Sequence, residues 1–192
     1  MRLKLAAIVL FGASILNAQP LAVGDKEYKD VVDTGKEATK LLLETLQKNM
    51  QEHMKQGGVM GALDFCSNEA STLTQKVNSQ LQEGVNVKRV SMKSRNPSNQ
   101  AQNDEEKVLL TFENLQKEGQ KVPEFSVEKV DEHTFKFYKP LTINKPVCLI
   151  CHGDLSSNKQ LKKAIADKNS SDRAYGYTLN DLRGTVVVTI KK

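Results

Sequence analysis

The chain has no tryptophan, and only 5% of its 192 residues are aromatic. Its 28 basic residues are dispersed among 23 acidic ones. With neither a basic stripe nor an aromatic ladder on which bases could stack, nucleic acid is not an expected partner. The chain also offers no GxSxG, no P-loop and no HExxH, and its carboxylates are scattered, so hydrolytic and phosphate chemistry have no support and it reads as a non-enzyme. Internal repeats and low-complexity linkers are missing too.

The apolar run Leu5 to Leu16 is about a dozen residues long, short of the roughly twenty that span a bilayer. Preceded by Arg2 and Lys4 and followed by Ala18, it has the n-region, h-region and small-residue cleavage site of a secretory signal. Residues 1–18 are therefore expected to be removed, with the cut near Ala18 and the product in the periplasm or otherwise exported. No lipobox cysteine follows. The mature chain of residues 19–192 keeps 26 basic against 23 acidic residues, a mild net charge of about +3, and has the length of one domain with one sizeable core.

Cysteine and histidine are scarce, three of each, and this makes the run Cys148-Leu149-Ile150-Cys151-His152 informative. Two thiols three residues apart can each add across a vinyl group of protoporphyrin, and the histidine beside the second then lies under the iron. A zinc site would need four ligands, and no second CxxC or HxxxH completes one. One covalent haem c is thus the expected cofactor, with thioethers at Cys148 and Cys151 and His152 as proximal axial ligand. Two thiols are consumed, and Cys66 is left to be explained.

Hydrophobic periodicity predicts a helix over 27–56, with contacts at Val31, Ala38, Leu42, Leu46 and Met50, ended by Gly57-Gly58. A second helix to Gly84 carries the stripe Val59, Leu63, Cys66, Ala70, Leu73, Val77, Leu81, which places Cys66 on the buried face. Strands are expected over 85–92, 125–130 and 133–138, the last two forming a hairpin at Asp131-Glu132. Helices follow over 104–117 and about 159–167, and a β-branched strand over 185–190 suits a central position. The fold class is α+β.

From the residues alone Cys66 is either a buried structural thiol or an iron ligand, and Met50, Met54, Met60, Met92, His53 and His133 compete for the sixth position. His53, among Gln, Glu and Lys, and His133, in a hairpin turn, read as solvated. Arg89, Arg95 and Arg183 are candidates for pairing with haem propionates. Tyr138, Tyr175 and Tyr177 pack on the porphyrin or complete the core, and Leu149 and Ile150 are expected to cover the haem edge.

The chain also resembles a known family, the PAS-like c-type haem domain of secreted bacterial proteins, formerly a domain of unknown function. The resemblance rests on residues 62–70 around Cys66, on 87–99 (VKRVSMKSRNPSN), on 138–141, on the haem segment 148–153, and on 172–177 (DRAYGY) through 181–184 (DLRG). It implies a PAS-like antiparallel sheet flanked by two long N-terminal helices. The haem would be held between a helix and the CxxCH segment, with His152 and Cys66 as axial ligands and a role in redox or gas sensing. Two positions depart from the family pattern: Asn180 stands where glycine is common, and Asn103, Asp104 and Glu105 lack the usual aromatic.

The expected function is a periplasmic mono-haem c-type cytochrome that senses redox state or a diatomic gas such as NO or CO. The alternative is a low-potential periplasmic electron carrier. A peroxidase-like enzyme would need an open iron site with distal acid and base groups, which a filled sixth position argues against. No kinase, cyclase or membrane-spanning output is legible, so a sensor would work through a redox or signalling partner protein.

Overall fold

The computed structural model describes residues 26–192, and the expected signal segment and its cleavage site lie outside the described residues. The fold is α+β, as expected, with five helices and one four-stranded sheet. Helix α1 runs Lys26–Asn68, and Gly58, at φ 60° and ψ −152°, breaks it into two arms. Glycine takes this left-handed conformation without the Cβ clash that any other residue would suffer. The arms fold back on each other. His53 stacks on Phe65 with ring centroids 5.1 Å apart, whereas twelve residues of straight helix would separate them by roughly 18 Å.

The second arm passes through a single non-helical residue, Glu69, into α2 (Ala70–Asn78). The backbone bonds Glu69 N to Phe65 O and Leu73 N to Glu69 O, both 2.9 Å, carry the helical direction across. Strand β1 (Val85–Val90), helix α3 (Asp104–Lys117), strands β2 (Ser126–Lys129) and β3 (Thr134–Thr142), helices α4 (Leu149–His152) and α5 (Lys159–Lys168), and strand β4 (Leu182–Lys191) complete the chain. The sheet is antiparallel with order β1-β4-β3-β2. The β-branched C-terminal strand is central, and Val186, Val187 and Val188 are all buried because both faces of the sheet are covered.

One face carries Val87, Phe135, Phe137, Val186, Val188 and Ile190 against α1 and α2, whose Val31, Ala38, Leu42, Leu46, Phe65 and Val77 form the largest core. Gly35 lets this happen at close range, since a Cβ there would run into the Phe137 ring. The other face packs Tyr138, Val90 and Val187 against Leu109 and Phe112 of α3. A third, smaller cluster joins Leu63 of the second α1 arm to Leu155, Leu161 and Ile165, with Val59 and Cys151 against it. At about 1.5–3 kcal/mol per fully buried large apolar side chain, this third cluster is the weakest of the three hydrophobic attachments. Strand β3 runs past its predicted end through Pro140, which pairs with Thr185 on the β4 side. Pairing with β2 stops at Tyr138, so the proline lies where no second strand asks for its N–H. No helix among the described residues is long and apolar enough to cross a membrane.

Candidate functional site

The segment CLICH sits on one turn of helix. A 3-10 turn over Pro146–Cys148 leads into α4, with Cys148 already helical at φ −64° and ψ −32°. Positions i, i+3 and i+4 share a helical face, so Cys148, Cys151 and His152 present together. All three are half-buried, and both cysteines are free thiols.

A polar network fastens this turn to the loop 172–177. Arg95 donates from Nη2 to the Cys151 carbonyl at 2.6 Å and from Nε to Asp172 Oδ1 at 3.2 Å. The same Asp172 oxygen accepts the Ala174 N–H at 2.9 Å, and the Ala174 carbonyl faces His152 Nδ1 at 2.7 Å and Arg95 Nη2 at 3.3 Å. The backbone adds Tyr177 N to His152 O and Gly176 N to Gly153 O, both 2.9 Å. A carbonyl only accepts, so Nδ1 carries the proton and the Nε2 lone pair is left for a metal. Burial, with repulsion from Arg183 and Arg95 behind it, pushes the His152 pKa down to about 3, so the ring is neutral. The edge of Tyr177 meets the imidazole at a centroid distance of 6.3 Å, with the rings at 88°.

Cys66 corrects the expectation of a thiol buried in the core. It is exposed, while its stripe neighbours Leu63, Ala70 and Val77 are buried. Its thiol pKa is nevertheless raised, first by desolvation, with Arg89 and Arg95 pulling it down and Cys151 pushing it up. The residue is thus open to water while its sulfur is desolvated by its neighbours, among them Cys151 of the haem segment and Arg95, which is bonded to the Cys151 carbonyl. The third hydrophobic cluster brings the two together, helped by Lys168 Nζ to Asp64 Oδ1 at 2.6 Å and Asn169 Nδ2 to Ser67 Oγ at 3.2 Å, which tie α5 to the residues flanking Cys66.

Met50 packs on the main core and Met92 on the α3 side, Met60 is exposed, and Met54 is half-buried. His133 is exposed in the β2–β3 turn. His53, expected in solvent, is half-buried on Phe65 with Nε2 3.8 Å from Glu69. Of the tyrosines, Tyr138 is fully buried on the α3 side and donates to Glu128 at 2.8 Å, Tyr175 is 47% exposed, and Tyr177 alone stands against His152. Leu149 is half-buried and Ile150 is 41% exposed.

Three guanidiniums surround the site, and their roles differ. Arg95 is committed to Asp172 and the Cys151 carbonyl, so it staples the turn. Arg183 donates from Nη1 to Ser91 Oγ at 2.8 Å and to Lys93 O at 3.2 Å, its Nε is buried without a partner, and its guanidinium lies 5.5 Å from the Tyr177 ring centroid. Arg89 has no hydrogen-bond or carboxylate partner among the described residues, and desolvation lowers its pKa. Against these three charges stands Asp172, already bound to Arg95. The donor set is thus a neutral imidazole with a free Nε2, a thiol on the helix arm packed against the imidazole's own turn, two further thiols on that turn, and uncompensated positive charge. That set suits a haem, whose propionates, and any thiolate bound to its iron, would be anionic. Sequence reasoning passed over Asp172 and the Ala174 carbonyl as individual actors, although both stand inside a motif that carried the family resemblance.

The departure at Asn180 has a backbone meaning. Asn180 has φ 71°. Asparagine is the side chain best tolerated where glycine would otherwise stand.

The family model Tll0287-like: Tll0287 matches residues 26–191. Among solved structures the chain is similar to the cyanobacterial heme-protein Tll0287. The TM-score is 0.58 and the identity 22%, over 88% of this chain and 97% of that one. No curated protein matches the chain.

Proposed function

The chain belongs to the Tll0287-like family, and from that premise we propose that it is an exported, periplasmic c-type cytochrome with one covalent haem that reads redox state or a diatomic gas such as NO or CO. The solved relative is by its description a heme-protein, and the residues of this chain suit the same cofactor. Cys148 and Cys151 would form the thioethers, His152 would bind iron through Nε2, and Cys66 would take the opposite face. When bound, the haem would supply a one-electron iron couple and an axial position open to exchange. The observation that carries this reading is the packing of the α1 arm that bears Cys66 against Cys151 and Leu155 of the haem segment, from segments more than eighty residues apart, with His152 Nδ1 already held by the Ala174 carbonyl.

The protein's own residues set the terms. The Ala174 carbonyl fixes the His152 tautomer and strengthens the imidazole as a donor. A thiolate at Cys66 would stabilise ferric iron and lower the potential. Cys66 sits on the short second arm of α1, which hinges at Gly58 and is held to the haem segment by the smallest hydrophobic cluster. Were the Cys66 thiolate to leave, the Leu63 side of this arm, which meets the haem segment through that small cluster, would loosen while Phe65 stayed in the main core, and a redox or signalling partner protein would read that movement. The role is binding and signalling rather than catalysis.

The alternative is a low-potential electron carrier, favoured by the apolar Val147 and Ile150 at 46% and 41% exposure beside the thioether cysteines, which would give a partner a docking rim. Optical titration of the matured protein with dithionite and then CO separates the two. Rapid CO binding with loss of the thiolate spectrum is expected for a sensor, and inert six-coordination with reversible reduction would establish the carrier. A mass equal to the bare chain, from cells that mature other c-type cytochromes, would remove both.

A further inference from the structure

Between α2, the outer edge of β1 and the 3-10 turn Pro97–Asn99 lies a pocket of about 150 Å³ lined by Ser71, Thr74, Lys88, Arg89, Ser98 and Asn99. Every lining residue is polar. At ~30 Å³ per water it has room for about five waters, too little for a macrocycle and enough for a small charged group.

Its electrostatics are one-sided. Lys88 is neutralised by Glu105 at 2.6 Å. Arg89 shares a sheet face with Val85 and Val87, so its side chain points toward the helices, and no carboxylate among the described residues meets it. A desolvated, unpaired guanidinium is costly unless an anion arrives.

The donors around Arg89 are arranged for such an anion. In an antiparallel edge strand alternate residues direct their backbone groups outward. Val87 satisfies its N–H and C=O with the Asn78 side chain at 2.7 and 3.0 Å, and the Ser91 N–H bonds Asn99 O at 2.9 Å. Arg89 lies between them, so its N–H and C=O open onto the pocket. The Ser71 hydroxyl accepts from Asn96 Nδ2 at 3.4 Å, which leaves its own proton free to donate. The Thr74 and Ser98 hydroxyls already donate, to Ala70 O at 2.8 Å and to Asn96 Oδ1 at 2.9 Å, and serve as walls.

We propose that this pocket is an oxyanion subsite in which the Arg89 guanidinium, the Arg89 N–H and the Ser71 hydroxyl hold a carboxylate, and that the carboxylate is a propionate of the haem. The choice of source follows from position. Ser71 follows Cys66 by five residues, about 7.5 Å of rise, along the helical run from α1 into α2, and the Arg89 side chain points at that run, so the pocket opens on the same stretch of helix as Cys66. Arg95 is spent on Asp172 and two backbone carbonyls, and Arg183, although its Nε has no partner, donates from Nη1 to Ser91 and Lys93 and does not line this pocket. The proposal rests on the haem reading above.

The haem-free full chain, with its thiols kept reduced, is titrated with ferric protoporphyrin IX and with its dimethyl ester. The free acid is expected to bind about tenfold tighter, the size of one charge-assisted hydrogen bond to a buried cation. Arg89→Gln should bring the two within about twofold, and Arg89→Lys should restore part of the preference. Should Arg89→Gln not fold, Ser71→Ala gives a smaller loss of the same preference. An unchanged acid-to-ester ratio in Arg89→Gln overturns the proposal, because the propionate is then held elsewhere. Failure of both porphyrins to bind overturns the haem reading itself. Titration with acetate, followed through the amide signals of residues 71, 89 and 99, tests the source. Saturable shifts there, with no acid-over-ester preference, would make this a free-anion site and overturn the propionate assignment.

Discussion

The helix-covered face of the sheet and the haem-segment side are held together by different physics. Under α1 and α2 the contacts are apolar and interlocked: Phe135, Phe137, Val186 and Val188 are at most 1% exposed. Around CLICH four buried apolar residues form the cluster, and the rest is done by Arg95, Asp172, the Ala174 carbonyl and backbone bonds. An apolar core holds through surface area and tolerates small shifts. A hydrogen-bonded turn holds through direction and fails when one partner leaves. A scaffold of the first kind bearing a site of the second kind keeps its shape while the site rearranges, as a sensor requires.

Two substitutions separate the regions. Phe137→Ala, in the main core beneath Gly35, should cost about 3–5 kcal/mol and lower Tm by roughly 10 °C or more, with every secondary element melting together. Arg95→Leu leaves Asp172 buried at 6% exposure without its cation, at a cost of about 3 kcal/mol. Its effect should be local. Amide exchange should accelerate over residues 148–177 while β3 and β4 stay protected. Uniform acceleration across the sheet would show that the two regions unfold as one and would end the comparison.

Acid should act on the site side more than on the core. The folded His152 refuses a proton down to about pH 3, whereas the unfolded residue accepts one near its ordinary value of about 6.5. Between those values the unfolded state binds more protons, so stability falls as pH falls, by up to ~1.4 kcal/mol per pH unit from this group, and the loss is complete below about pH 3. Urea unfolding of the haem-free protein and of His152→Gln at pH 7, 6, 5 and 4 measures it. Carboxylate terms are common to both and cancel in the difference. A difference that stays flat across the window would mean that the imidazole is hydrated in the folded state.

The same contrast decides what the sequence shows. Helix α3 lies over the residues its apolar spacing and acidic first turn predict, and β4 is central as its valines require, because burial writes a period into the chain. The CLICH turn is equally legible, since the covalent haem attachment proposed for it would demand fixed spacing. Cys66 was misplaced for a physical reason. Periodicity says which face of a helix a residue shares, and a face that is buried at Leu63 and Val77 is open to water at Cys66, where no neighbouring element covers it fully. Arg95 is one of three arginine candidates for pairing with the haem propionates, and its guanidinium holds the Cys151 carbonyl and Asp172. A contact with a backbone oxygen fifty-six residues away leaves no pattern in sequence, beyond the presence of both segments in the family motifs.

The mildest probe tests the loop side without touching charge or core. Asn180, at φ 71°, lies in the turn between Tyr177 and β4 that carries the chain from the His152 contact back into the sheet. The turn is held by backbone oxygens and a carboxylate: Gln116 Nε2 donates to Asn180 O at 2.5 Å, the Asn180 N–H donates to Ile143 O at 2.8 Å, and Asp181 accepts from the Thr178 N–H at 2.6 Å. None of these uses the Asn180 side chain. Asn180→Gly therefore keeps each of these hydrogen bonds and removes the Cβ penalty of the left-handed conformation, which for asparagine is below the ~1–2 kcal/mol of other residues. Glycine's greater freedom in the unfolded chain takes back part of that gain. The net should be a stabilisation of under about 1 kcal/mol and a Tm rise of at most about 2–4 °C, with unchanged exchange in the main core. A loss of stability would show that the asparagine side chain holds this turn, and that the loop side is fastened by side chains at a point where the geometry assigns the work to backbone alone.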